Sequence, residues 1–432
     1  MVTGAIVLFG CGRVGFVALP IDGGGRMDSP EHDAGPRDSG DLPDTFQPDA
    51  FQPVDAGPEP YAGPRFVAAT DLALTTSSGP FVAVPGGSIT FTPGSADDAW
   101  VVLLSGELLS TEIAQRVLQV RYLINDVERG IGEQQNEVPG NPTPWAHFDV
   151  VTGTTEPQTV RLELSATSGA ATIRNGRIIA FPLPVGADLH FAEELATRLV
   201  PGGDVWTAGL ELAFTPVAAG DYLVLSVVNA SEEPTSTSVA VRMVDGSAMT
   251  WSEPPMGNNR QFWIPIVFAR SLRLNASAQR LAFEGRSLVS GSLRYARIAA
   301  FRLDGFDRAQ TVEDPAGVVV DTSALTTTST LVTDAPPTTR DHIVLQCVAV
   351  AGATDDPMLM RGRVTELRLD GTAQAGVVRY NTSDSALGSD CVFTALATDR
   401  SFRSDNAVAT TEPARPVVAF ESVIHVLRLH PR

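Results

Sequence analysis

The chain has 432 residues, 50 of them acidic and 31 basic, for a formal charge of -19, and every basic residue is Arg because the sequence contains no Lys. That balance excludes nucleic-acid binding, which needs a basic face to displace phosphate counterions, and the missing Lys excludes Schiff-base and P-loop lysine chemistry. An apolar share of 43% describes a globular chain, and the length allows about two to four domains.

Residues 1–21 open with an apolar run, Ala5 to Phe9, followed by Gly10-Cys11-Gly12-Arg13-Val14-Gly15. The letters match the dinucleotide-binding G-x-G-x-x-G, but that fingerprint works only where its glycines lead into a helix within a βαβ unit. Pro20 and Gly23 to Gly25 follow too soon for such a helix. The same stretch resembles the end of a bacterial lipoprotein signal peptide, with Leu8, Gly10 and Cys11 at the lipobox positions and Phe9 between them. The resemblance implies that Cys11 carries lipid and becomes the mature N-terminus, and that Gly12 in place of Asp directs the exported chain to an outer membrane at the cell surface. Only ten residues precede Cys11 and none is basic, so the basic n-region of a signal peptide is expected upstream of Met1.

Residues 22–64 hold ten acidic residues against two Arg, with eight Pro and seven Gly. Too few large apolar groups are present to offset ordering entropy, so a disordered, self-repelling linker is expected. The near-repeats at Pro43 to Gln47 and Pro48 to Gln52 mark low complexity. The stretch resembles the tethers of lipoproteins of myxobacterial type. At about 3.1 Å per residue it would reach on the order of 130 Å.

Residues 65–184, 185–304 and 305–432 read as three similar units. Each opens with an apolar strand (Trp100 to Ser105, Tyr222 to Val227, His342 to Cys347) and closes with another (Arg177 to Leu183, Arg297 to Leu303, Val423 to Leu429). Val120-Arg121, Val241-Arg242 and Leu367-Arg368 mark a strand between them. A spacing of about 120 residues is a domain-sized repeat. Short Val/Thr/Ile/Phe runs between Gly, Pro, Asn and Asp clusters give the fold class: all-β, three tandem antiparallel β-sandwiches of jelly-roll type. The skeleton looks like the jelly-roll modules of bacterial surface and phage structural proteins. Helical spacing is confined to Glu107 to Val117 and Phe191 to Leu199.

The opening strands are apolar on both faces, so something must cover the second one: the neighbouring module, a helical loop, or another chain in a homo-oligomer. On the closing strands, Ile179, Phe181 and Leu183, with Ala299, Phe301, Leu303 and His425, Leu427, Leu429, are expected to face the core.

Cys347 and Cys391 form an even pair in one unit of an exported chain, and a disulfide between them is expected. No G-x-S-x-G, H-E-x-x-H, Cys-x-x-Cys or His-x-His occurs, and the six histidines are scattered, so no catalytic residue, metal site or cofactor is assigned. Four tryptophans, Trp145, Trp206, Trp251 and Trp263, are candidates for stacking on sugar rings. Trp251, in a Pro-rich segment read as a loop, is the best of them for an exposed ring. The expected function is a non-enzymatic surface lipoprotein with an adhesive or structural role, held to a membrane by its lipid. Its partners would be a polysaccharide or a surface protein, and the alternatives are carbohydrate binding and phage-like structural assembly.

Overall fold

The computed structural model describes residues 65–110, 116–136, 142–167, 169–185, 187–231, 239–245, 250–258, 263–314, 317–352, 361–381, 389–411, 413 and 416–431. β-branched and aromatic runs become strands, and Gly, Pro, Asn and Asp take the turns. Among the described residues the one helical element is a 3-10 turn at Leu303–Gly305.

Module one contains β1 (Val67–Ser77), β2 (Val82–Phe91), β3 (Trp100–Leu109), β4 (Arg116–Ile124), β5 (Val127–Asn136), β6 (Thr143–Val151), β7 (Gln158–Ala166) and β8 (Ala170–Pro182). They form two antiparallel sheets in the orders β1-β8-β3-β6 and β2-β7-β4-β5. Module two contains β9 (His190–Glu194), β10 (Arg198–Pro201), β11 (Thr207–Phe214), β12 (Gly220–Ser231), β13 (Val239–Asp245), β14 (Thr250–Asn258), β15 (Ile264–Leu274), β16 (Gln279–Ser287) and β17 (Ser290–Arg302). Its sheets run β10-β17-β12-β15, with β9 also on β17, and β11-β16-β13-β14. Module three contains β18 (Arg308–Asp314), β19 (Val318–Val320), β20 (Thr326–Val332), β21 (Arg340–Gly352), β22 (Arg361–Leu369), β23 (Thr372–Asn381), β24 (Ser389–Thr398), β25 (Arg403–Thr410) and β26 (Val417–Arg428). Its sheets run β18-β26-β21-β24, with β19 also on β26, and β20-β25-β22-β23. Counting each split first strand once, all three modules pair first-eighth-third-sixth against second-seventh-fourth-fifth, which is the jelly-roll order.

The opening strands β3, β12 and β21 sit mid-sheet and pair with the closing strands β8, β17 and β26, in registers that include Leu103↔Ile179, Leu225↔Ala299 and Leu345↔His425. Their two apolar faces serve two cores. Val102 and Leu104 point into the module-one sandwich with Val120, Leu162 and Ile178. Val101 and Leu103 belong to a separate cluster with Leu223 and Leu225 of module two and Ile343 and Leu345 of module three. Strands β6, β15 and β24, one from each module, touch one another around that cluster. The three inner sheets thus back onto one shared core, and the cover for the doubly apolar strands is the neighbouring module. A second chain is not needed there, which removes the sequence-level reason for assembly through those strands. Ile179, Phe181, Leu183, Ala299, Phe301, Leu303, Leu427 and Leu429 face this shared core, and their own sandwiches are filled by the alternate residues, such as Ile178 and Ala180. The outer sheets alternate buried and exposed residues, as in β2, because water covers their second face.

Among the described residues neither helical expectation is met, and residues 111–115 of the first lie outside them. Glu107 to Leu109 end β3, where Glu107 is buried and bonded by Arg174 (2.5 Å). Phe191 to Leu199 supply β9 and β10, whose backbone groups are satisfied by the free edge of β17. Trp251 lies in strand β14, opposite Met243 of β13, and not in a loop.

Each closing strand carries a bulge at one repeated place. Asn175, Tyr295 and Glu421 have φ of 50°, 49° and 49°, and the pairing slips between Ser105 and Glu107, Val227 and Asn229, and Cys347 and Ala349. Bulges bend a strand and re-aim its side chains. Two residues further on lie Arg177, Arg297 and Val423, all buried.

The chain enters and leaves this assembly at one end. The Arg65 amide donates to Asp341, and Arg65 Nη1 donates to the His430 carbonyl (3.0 Å). The crossovers are pinned there too, by Leu183 N–H to Ala99 O (2.7 Å), Arg302 N–H to Ala187 O (2.6 Å) and Leu429 N–H to Asp341 O (2.9 Å).

Candidate functional site

The densest group of buried ionisable side chains lies in the seam between modules one and two. Asp149 on β6 and Arg297 on β17 are both fully buried, with Nη2 3.3 Å from Oδ2. Arg129 on β5 grips the same carboxylate with two bonds, of 2.9 and 3.0 Å, and Tyr122 Oη donates to it at 3.1 Å. Glu193 on β9 meets Arg129 at 2.5 Å and Arg297 at 3.4 Å, so two cations face two anions and the network is neutral. Burial pushes the Asp149 carboxyl up, but Arg297 and Arg129 outweigh it and hold the group below the usual carboxylate range. Burial drives the Tyr122 phenol well above its ordinary value, keeping it a neutral donor.

His147 stands beside this network, two residues before Asp149 on the same face of β6. The ring is fully buried beside the Asn229 side chain and the Ile131 backbone. The ring packs against Tyr122 and Trp145, with centroids 5.5 and 5.7 Å away, and burial lowers its pKa to about 3. The close approach depends on two glycines of β5. A Cβ on Gly130 would lie 2.4 Å from the Tyr122 ring, and one on Gly132 would lie 1.9 Å from Trp145. Further along the seam Asn229 Nδ2 donates to the Ile131 carbonyl, Tyr295 donates to Glu128, and Glu133 N–H donates to the Trp263 carbonyl (2.8 Å).

The other two seams repeat the geometry with different chemistry. Between modules two and three, Glu313 of β18 accepts from Ser271 N–H (2.5 Å) and lies 3.8 Å from Arg270. The buried His425 shares a hydrogen bond with Thr311 (3.0 Å). Burial pushes Glu313 up and His425 down to about 4. Between modules three and one, Arg177 stands where Arg297 stands in module two, and its Nη2 reaches only the carbonyl (3.0 Å) and side-chain oxygen (3.2 Å) of Gln374. Among the described residues, the buried Arg177 Nη1 and Thr394 Oγ1 have no hydrogen-bond partner. Thr394 pairs with Val344 as Asp149 pairs with Val102, so this seam has a hydroxyl where the first has a carboxylate. Burial depresses the Arg177 guanidinium.

These clusters are cohesive in their chemistry. The acids of these clusters are held by Arg, amide or hydroxyl groups, and the one hydroxyl–histidine contact among them is Thr311 on His425. A cleft of about 490 Å³ opens at the second seam beside Asp221, Ser271, Asp304, Phe306, Arg308 and Thr311. Its charges are already paired, Asp221 with Arg273 (3.6 Å), Asp304 with Arg302, and Arg308 with Asp334 (3.0 Å). Among the described residues no group of three or more His, Cys, Asp or Glu is placed to hold a metal ion.

Cys347 and Cys391, directly opposite on β21 and β24, are joined by a disulfide with Cα atoms 4.2 Å apart. The bond belongs to the shared core. Cys11 and the Trp251 ring lie outside the described part of the structure. The other candidate stacking rings are committed. Trp145 is buried, Trp263 is buried under Arg294 (3.9 Å), and Trp206 is half-buried with Arg242 and Arg286 over its ring at 4.2 and 4.9 Å. Sequence reasoning missed the seam charges, although one signal was present. An Arg begins both the first and second closing strands, and an Arg in a buried strand needs a partner.

No family model matches this chain, and no curated protein is similar to it. Several solved structures are similar in fold. One described as the triple jelly roll fold and turret assembly in an archaeal virus is 9% identical, covering 84% of this chain and 91% of that chain, with a TM-score of 0.21. The N-terminal CBM22-1-CBM22-2 tandem domain from Paenibacillus barcinonensis Xyn10C is 10% identical, covering 56% and 100%, with a TM-score of 0.20. PNGF-II is 6% identical, covering 78% and 98%, with a TM-score of 0.26. Similarity at this level carries no functional argument, and the jelly-roll assignment stands on the strand order of the chain itself.

Proposed function

We propose that this chain is a non-enzymatic cell-surface lipoprotein, with lipid on Cys11 and the acidic segment 22–64 as a spacer, whose head has an adhesive or structural role. The observation that supports this reading is the closure of the head. Arg65 is bonded to Asp341 and His430, so the spacer joins at the end where the closing strands finish. The β1–β2, β10–β11 and β16–β17 turns lie at the other end, about 40 Å away along the 13-residue β17. A head held at one end offers the opposite end to a partner, and its buried charges serve to keep the three modules in register.

Intact-mass measurement on protein from a membrane fraction tests the reading. It predicts a chain that begins at Cys11 with diacylglycerol and acyl mass added, and that is cleaved when whole cells are treated with protease. A chain that retains Met1 and carries no lipid would overturn it. Polysaccharide binding is the second reading and depends on Trp251, since the other candidate rings are engaged. Retention on an immobilised glycan that Trp251→Ala abolishes would favour it.

A further inference from the structure

The three modules present turns at the end away from Arg65, and among the described residues the module-two set exposes the most aliphatic side chains. In module one the first turn is Ser78-Gly79-Pro80, tied by Gly79 N–H to Ala166 O (3.2 Å). In module three it is Asp321-Thr322-Ser323, tied by Thr410 N–H to Thr322 O (3.0 Å). Both are polar. Module two instead exposes Leu199, Val205, Leu288 and Val289 at 74, 65, 64 and 51%.

The turns that carry Val205, Leu288 and Val289 are clamped together. Gly203 N–H donates to Leu288 O and Asp204 N–H donates to Ser287 O, both at 3.0 Å, clamping the β10–β11 turn onto the β16–β17 turn. Gly202 makes the contact possible, since a Cβ there would lie 1.9 Å from the Val289 carbonyl oxygen. The rim is charged but self-neutralised, with Arg198 on Glu194 (3.4 Å), Arg286 on Asp204 (3.3 Å) and Arg242 on Glu284 (2.6 Å).

The shape, size and charge of this tip narrow its partner. The four residues expose on the order of 400 Å² together, the size of the largest, often functional, apolar patch of a typical monomer and about half of what each side of a stable protein interface buries. The tip projects from turns, so a protein partner would need a preformed pocket, whereas a bilayer closes around apolar side chains of any arrangement. An anionic bilayer would repel a chain of charge -19, and among the described residues the rim cations are already ion-paired. We propose that this end of module two is a lipid-contacting tip, whose Leu199, Val205, Leu288 and Val289 enter the interfacial region of a zwitterionic bilayer. The inference goes beyond the reading above and stands whether or not Cys11 carries lipid.

The test uses the full chain carrying Cys11→Ser, floated with phosphatidylcholine vesicles beside a Leu288→Asp/Val289→Asp variant with an unchanged melting curve. The variant is expected to lose at least tenfold in bound fraction. To separate the tip from any other membrane-active segment, a bimane dye is placed on Val289→Cys or, as control, on Val332→Cys, exposed at the end of β20. Nitroxide-labelled lipid is expected to quench the first dye and not the second. Equal flotation of tip and variant, an unquenched dye at position 289, or binding only to phosphatidylglycerol vesicles would each overturn the proposal. A dimer that the double substitution dissolves would also overturn it, assigning the tip to a second copy of the chain.

Discussion

Replacing Asp149 with Ala removes the acceptor shared by Arg129, Arg297 and Tyr122 and leaves a fully buried guanidinium with incomplete compensation. Arg129 is 19% exposed and keeps Glu193, so it loses little that water cannot return. Arg297 has no exposure and retains Glu193 at 3.4 Å, the Arg129 carbonyl at 2.6 Å and a long contact to the Tyr295 carbonyl at 3.5 Å. Breaking a buried pair by removing one partner costs about 3–5 kcal/mol, and the surviving Glu193 places the expected loss near the lower bound, about 3 kcal/mol. Urea unfolding of the wild type, Asp149→Ala, Arg297→Met and the double variant supplies a double-mutant cycle. The double variant is expected to be more stable than Asp149→Ala alone, because it removes the stranded charge, with a coupling energy above about 1.5 kcal/mol. A loss below about 1 kcal/mol for Asp149→Ala, with additive single effects, would refute the view that these charges lock modules one and two.

Three further outcomes follow from the seams and the shared core. His147 and His425 are held at about 3 and 4 in the folded head, against about 6.5 unfolded. The unfolded chain therefore takes up protons first as pH falls. The stability from keeping both rings neutral is full above about pH 6.5 and declines toward the folded values, at about 1.4 kcal/mol per pH unit for each ring. Urea midpoints between pH 7 and 5 should show that slope, and His147→Gln should make it shallower by one proton. Removing the disulfide with Cys347→Ala/Cys391→Ala frees a loop with a sequence separation of 44 and should cost about 4 kcal/mol in the chain-entropy model. Because both sulfurs lie in the shared core, dithiothreitol should reduce the bond only when denaturant is added, as thiol trapping followed by mass measurement would report. In the third seam, Thr394→Asp should place a carboxylate beside the Arg177 guanidinium and raise stability by about 1 kcal/mol, a gain that a second change, Arg177→Met, should abolish.

The repeat made much of the architecture legible. Opening and closing strands are the central pair of each inner sheet, where burial on both sides leaves the longest unbroken apolar runs, and those runs required a cover that the neighbouring modules provide. The relation between sequence and core was subtler for the closing strands. Alternation identifies two buried faces without saying which belongs to the sandwich and which to the shared core, so Phe181 and Phe301 serve the second. The helical expectation at Glu107 arose because β3 is buried without alternation, and that at Phe191 because β9 has no buried residue to mark a strand period. Arg297 was marked by its place at the start of an apolar closing strand, but its partners Asp149, Arg129 and Glu193 are far away in the chain, and nothing in their local sequence distinguishes them from exposed residues. Trp251 was misplaced because its Pro-rich neighbourhood reads as a loop, although β14 is an edge strand, where prolines are tolerated.

Light scattering on the purified full-length chain tests the central claim most directly, that one chain closes three jelly rolls around a core of its own. Because Val101, Leu103, Leu223, Leu225, Ile343 and Leu345 cover one another within the molecule, the account predicts the mass of a single chain in dilute solution. A stable trimer that Leu103→Asp disperses into folded monomers would show that these faces meet between chains, and would contradict it.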